Sequence, residues 1–205
     1  MLTVRHIATA IATILVLSAC TGPPPPTYGD AFKGLYNQST ASVPADVPVT
    51  VQHPIGIILN DNVEAYFRWV QASKQYWAGT VPTSLTNNVV IADGDPMFLS
   101  GRVLGMLKRR FPDALEVKDF PAAVSAGKKT IVLVDVVPKL MEPYGDRTTK
   151  FDFTYYFFDA KMNPVSKLSG HGEHYVAFGA ADAGVQVAVD AALAQLDQKM
   201  NVLVR

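Results

Sequence analysis

The chain has 205 residues, 49% of them hydrophobic, with 18 Lys and Arg against 18 Asp and Glu and a single cysteine. That composition excludes a disordered, collagenous or disulfide-stapled protein. A formal net charge of +0 supplies no basic field for a nucleic-acid backbone, and the length suits one domain with a proper core.

Residues 1–19 read as a signal peptide, to be left out of the fold. Arg5 supplies the positive start, residues 7–17 form an apolar run, and small residues precede Cys20. The run falls far short of the roughly 20 apolar residues that a membrane-spanning helix needs. Leu17-Ser18-Ala19-Cys20 resembles the bacterial lipobox, in which the signal is cut before a cysteine that receives a diacylglycerol and an acylated amino group. The resemblance rests on the only cysteine of the chain, placed at the end of the apolar run and followed at once by a proline-rich stretch. It implies that Cys20 is a lasting lipid anchor, several acyl chains contributing about 0.8 kcal/mol per buried methylene. Cys20 is then neither nucleophile, metal ligand nor disulfide partner. Thr21 stands where, in the family, an Asp retains the lipoprotein in the inner membrane, which implies the outer membrane and a domain facing the periplasm.

Residues 20–48 contain Pro23, Pro24, Pro25 and Pro26, then scattered Gly, Ser, Thr and Pro, and predict a tether whose prolines favour an extended polyproline II segment. Val43, Val47, Val49 and Val51 alternate, so the end of the stretch is positioned to join a sheet. The domain is expected over 49–205.

Residues 55–59 suit a buried strand, and Asp61 with Glu64 forms a capping box for a helix carrying Val63, Phe67, Val70 and Trp77 on one face. Asp95-Pro96 caps a second helix, with Leu99, Val103, Met106 and Leu107 inward and Lys108, Arg109 and Arg110 complementing the negative end of its dipole. Strands are predicted over 115–120, 130–137 and 151–158, the last with aromatics at 151, 153, 155 and 157 on one face. Asp, Asn and Pro within 159–164 signal a hairpin, and 165–176 returns antiparallel. A final helix over 182–203 turns Val185, Val189, Ala192, Leu196, Met200 and Leu203 to one side. The expected fold is α/β (α+β): a single mixed sheet with a C-terminal antiparallel meander and packed helices.

This order, with an apolar strand entering an Asp-containing turn (151–164), a strand ending in Gly170 and Gly172, and an Ala-rich closing helix, resembles small periplasmic α/β lipoproteins. Transport-auxiliary lipoproteins, activators of wall synthesis and the amino-terminal domain of the Tol translocation protein share the pattern. The resemblance implies a non-catalytic envelope module, without choosing among those families.

The chemistry-bearing residues are few. His171-Gly172-Glu173-His174 combines imidazole and carboxylate, but on a strand His171 and Glu173 share one face and His174 takes the other, whereas a helical zinc motif needs two histidines four apart. A metal site is therefore not expected, and no cofactor is expected. Gly127-Lys128-Lys129-Thr130 lacks the earlier glycine of a phosphate loop, which is Ala122 here. Ser100 lacks the elbow of a serine hydrolase, Asp93 and Asp95 flank Gly94 without the rest of a calcium pattern, and the spacing of Asp135, Glu142 and Asp146 does not bring them together.

Tyr66, Phe67, Trp69, Tyr76 and Trp77 are too many for one apolar stripe, so Tyr66, Trp69, Tyr76 and Trp77 form the expected docking surface. The leading expectation is an outer-membrane-anchored lipoprotein, not an enzyme, that binds an envelope protein or the cell wall. One alternative is an envelope hydrolase using His171 and Glu173, which requires a deep pocket joining them to Asp135 or Asp146. The other is a lipid or small-molecule carrier with an apolar cavity between sheet and helices.

Overall fold

The computed structural model describes residues 24, 26–29, 32, 42–80, 98–139, 147–175 and 181–205. The signal segment, Cys20, Asp93, Asp95, Pro96, Glu142 and Asp146 lie outside the described residues, as do the side chains of Glu64, Phe67, Val70 and Trp77.

Strand β1 (Ile55–Leu59) leads into helix α1 (Asp61–Thr80). After helix α2 (Phe98–Arg110) the chain forms the two-residue strand β2 (Leu115–Glu116), parallel to β1, and then the short helix α3 (Phe120–Ser125). Strand β3 (Thr130–Lys139) lies on the other side of β1, also parallel to it. Strands β4 (Thr148–Asp159) and β5 (Pro164–Tyr175) continue as an antiparallel meander, and helix α4 (Ala181–Leu203) closes the domain. The five-stranded sheet thus runs β2-β1-β3-β4-β5. It is a mixed sheet, antiparallel towards the C-terminus, with packed helices.

Strand alternation sorts the side chains into two layers. The inner face carries Ile55, Ile57, Val132, Val134, Val136, Phe151, Phe153, Tyr155 and Phe157 under α1, α2 and α4. The outer face carries Ile58, Ile131, Leu133, Tyr156 and Phe158 under Phe120 and Ala123 of α3 and under Phe32 and Val43. Within the stretch expected to be a spacer, therefore, Phe32 and Val43 are buried and Tyr28 packs against the inner layer.

The strand expected over 115–120 ends after Glu116 and gives way to α3. The cause is local: the Asp119 side chain accepts a hydrogen bond from the Ala122 amide at 2.8 Å, and Pro121 stands in the first turn, where its missing N–H costs nothing. Arg110 reaches beyond its own helix. Its guanidinium donates to the carbonyls of Met200 and Val204 at 3.1 and 3.0 Å and to Asn201 Oδ1 at 2.7 Å, satisfying the carboxyl end of α4.

Helix α4 lies on β5 and β4 at close range because β5 presents Gly170 and Gly172 to it. A methyl group at Gly172 would overlap the Ala188 carbonyl and stand 2.7 Å from the Ala192 amide nitrogen. One at Gly170 would overlap the Ala192 carbonyl and stand 2.8 Å from Leu196 Cγ. The outer edge of β5 is partly zipped by residues 44–46. The Lys167 amide donates to the Pro44 carbonyl at 2.8 Å, and the Asp46 amide donates to the Lys167 carbonyl at 2.9 Å.

Candidate functional site

The β4–β5 hairpin turns on Asp159, whose carboxylate accepts from the amides of Lys161 and Asn163 and from the Asn163 side chain at 2.8 to 2.9 Å. A register shift between Phe157 and Phe158 then restores the match between the faces of the two strands. Beyond it Thr154 stands opposite Ser169, Asp152 opposite His171, and Lys150 opposite Glu173. All six project from the face opposite α4, because Gly170 and Gly172 take the inner positions on β5.

The result is an open ladder of polar pairs. Thr154 and Ser169 hydroxyls lie 3.2 Å apart. His171 Nδ1 is 2.7 Å from Asp152 Oδ1, its Nε2 is 3.7 Å from Glu173 Oε2, and that same carboxylate oxygen is 3.4 Å from Lys150 Nζ. The backbone amide of His171, on the sheet edge, donates to Gln195 Oε1 of α4 at 2.7 Å, which fixes the strand beneath the imidazole. On the same face Val137, opposite Asp152 on β3, and Tyr175 at the end of β5 are exposed, and the Arg147 guanidinium lies 5.9 Å from the Tyr175 ring centre.

The hydrogen bond that the His171 ring donates to the Asp152 carboxylate is the main cause that raises the His171 pKa above its ordinary value, with Glu173 adding to it and burial opposing it. An imidazole flanked by two carboxylates holds its proton more tightly and makes a poorer general base near neutral pH. The linkage follows directly. A raised folded-state pKa contributes stability that is fully present below the ordinary His value of about 6.5 and is lost as pH rises through the folded value. Asp152→Asn is therefore expected to bring the His171 titration, followed by NMR of its ring protons, down towards that of a free histidine. The stability gap between the two proteins should be widest in mild acid, where the imidazole is protonated and the carboxylate still ionised, and should close as pH rises through the folded His171 value. An unchanged titration would show that the pair does not form in solution.

The other expected site residues divide. His174 points to the opposite face of β5 and is half-buried. Asp135 shares the outer face but is taken up elsewhere, its Oδ1 accepting from the side-chain amides of Asn60 and Asn62 at 2.7 Å each. Asp135 and His171 thus belong to separate hydrogen-bonded groups. Among the described residues no three His, Cys, Asp or Glu side chains converge so as to hold a metal ion.

Among the described side chains of the expected docking surface, Tyr66 is the most buried. It is buried in the inner layer, edge-on to Phe151 at 6.0 Å between ring centres, and burial pushes its hydroxyl up to about 12. Trp69 is partly buried against the same core, 6.4 Å from Tyr66, and Tyr76 is half-buried. The physical reason is that α1 packs on the inner layer and turns Tyr66 and Trp69 towards the β4 aromatic row. Beneath the helices Leu99, Leu107, Phe151, Phe153, Tyr155 and Leu196 are all fully buried. An open groove of about 550 Å³ does run between α2 and α4, past Met106 and Leu193, with Arg102 and Asp190 paired across it.

Asp152 is the partner that residue types alone did not reveal; only the hairpin register delivers it. Among the described residues no helix is long and apolar enough to cross a membrane. Compared with family models, with curated proteins and with solved structures, the chain finds no match in any of the three.

Proposed function

We propose that this protein is a lipoprotein anchored through Cys20 in the outer membrane, and that its α/β domain is a non-catalytic binding module in the periplasm. The module meets an envelope protein or the cell wall through the open face of β4 and β5 around Asp152, His171, Glu173 and Lys150. The observation that carries this reading is the shape of that face. Among the described residues its polar groups stand on an exposed sheet surface with Val137 and Tyr175 beside them, the kind of surface that meets a partner. The lipobox-like segment supplies the anchor, and Thr21 the preference for the outer membrane.

The test pairs location with capture. Wild type is expected to incorporate labelled palmitate and to sediment with the outer membrane, while Cys20→Ala loses both. Crosslinking in cells should recover a defined partner with wild type and lose at least about tenfold of it with His171→Ala combined with Glu173→Ala, as for a central charged contact. Palmitate incorporation independent of Cys20 would overturn the anchor. Turnover of wall peptide or lipid by the purified protein, abolished by His171→Ala, would replace the binding module with a hydrolase.

A further inference from the structure

Helices α2 and α4 lie side by side, and their contacts advance along both in the same sense: Arg102 pairs with Asp190, and farther on Arg110 reaches Met200 and Asn201. The groove of about 550 Å³ runs along this seam. Its width has a cause in the sequence. Gly101 and Gly105 line it without side chains, and a methyl group added at Gly101 would meet nothing within 4 Å. Seven residues, or about two turns, beyond Arg102 and Asp190 stand Arg109 and Asp197, one on each wall. Arg109 lies back along its helix, with Nη1 3.9 Å from where a Cβ on Gly105 would stand. Both side chains are exposed, and unlike the first pair they form no ion pair among the described residues. On the sheet below, the hydroxyl of Tyr155 is fully buried and has no hydrogen-bond partner among the described residues. It lies close enough to Asp197 for that carboxylate to add to the effect of burial, and the two together push its pKa up. A buried hydroxyl without a partner is unfavourable, and an arriving hydrogen-bonding group relieves it.

We propose that this groove is a binding site for a zwitterionic α-amino-acid head, its carboxylate on Arg109 and its ammonium on Asp197. The ligand class follows from the walls. A ligand carrying only negative charge would meet two aspartates, and one carrying only positive charge would meet two arginines. A docked helix would need an apolar floor, but Met106 and Leu193 are only 4% and 8% exposed and offer little. The volume falls within the range of small-molecule sites, roughly 300–1,000 Å³. An ammonium carries three donors, so one held by Asp197 can also donate to the Tyr155 hydroxyl and give it the partner it lacks. The groove lies on the helix side of the sheet, away from the polar face of β4 and β5, and does not depend on what that face binds. Free amino acids and the peptides of a cell wall both carry such a head.

The test uses the chain from residue 20, made without acylation and isotope-labelled for NMR, and follows the amide signals of Gly101 and Gly105. Two probes cover the two sources: L-leucine, and soluble peptides released from wall material by a muramidase. At least one should shift both signals saturably at millimolar concentration, and which one does so assigns the source. For that probe, acetylating the amino group or amidating the carboxyl group should weaken binding at least about tenfold, because either change removes a charge-assisted contact. Arg109→Gln, Asp197→Asn and Tyr155→Phe should each weaken it by a similar factor. The first two alter exposed side chains and the third removes an unpartnered hydroxyl, so all three should keep the unfolding transition of wild type. No saturable shift with either probe overturns the proposal, as does binding that tolerates the blocked probes or any of the three variants in folded form. A protein crosslinked at Arg109 by a chain that responds to neither probe would make the groove a docking surface instead.

Discussion

Gly172→Ala is expected to destabilise the domain by at least about 3 kcal/mol, which for a chain of this size lowers the melting temperature by roughly 6–12 °C. The added methyl group would occupy the position of the Ala188 carbonyl and press on the Ala192 amide nitrogen. Both are helix backbone, so no rotamer change relieves the overlap, and α4 must lift from β5 as a body. Lifting it uncovers Leu168 and exposes Ala188, Val189, Ala192 and Leu196, which are buried at that contact. The same argument holds at Gly170, where the Ala192 carbonyl and Leu196 obstruct a methyl group. Denaturant melts of the single and double alanine variants provide the check. The double variant should lack a native transition at 37 °C. A Gly172→Ala midpoint within 2 °C of wild type would mean that α4 sits farther from β5 than described.

Phe153→Ala comes next in size, at about 3–5 kcal/mol, the range for deleting a fully buried aromatic side chain. Phe153 has no exposed surface and lies stacked beside Phe151 at 6.2 Å between ring centres, and Phe151 in turn meets the edge of Tyr66. Truncation leaves a hole walled by strands on one side and helices on the other, where neither layer can collapse inward without breaking hydrogen bonds. Phe153→Leu should recover more than half of the loss. Chemical denaturation with an unchanged slope would identify the effect as stability. A loss below about 1 kcal/mol would place Phe153 outside the core.

Those two sites also mark what was legible in the sequence. The β-branched run of β3, the aromatic alternation of β4 and the apolar stripe of α4 each have one period and one buried face, so pattern alone located them. Val189, Ala192, Leu196 and Met200 are fully buried as their spacing required. Helix α3 was hidden because the alternation of residues 115–117 runs straight into its Asp119 cap, and only the cap geometry separates them. The pairing of Asp152 with His171 was hidden for a subtler reason. Without the irregularity at Phe157/Phe158, the turn would set Phe151 opposite His171, a buried aromatic against an exposed imidazole. The Asn60, Asn62 and Asp135 cluster joins residues more than 70 apart in sequence and carries no local period at all. Arg110 could be read as favourable to its own helix, but not as the group that finishes α4.

The sheet borders have a bearing on how such domains behave when crowded together. An uncovered edge strand is a template for β-pairing between molecules, and long flat edges lead to aggregation. Here one border strand, β2, is only two residues long, too short to seed an intermolecular ladder. On the other border, the outward amides of Lys167 and His171 already donate to Pro44 and Gln195. Neighbouring copies packed side by side are thus expected to remain separate molecules, able to be displayed at high density without polymerising through their strands.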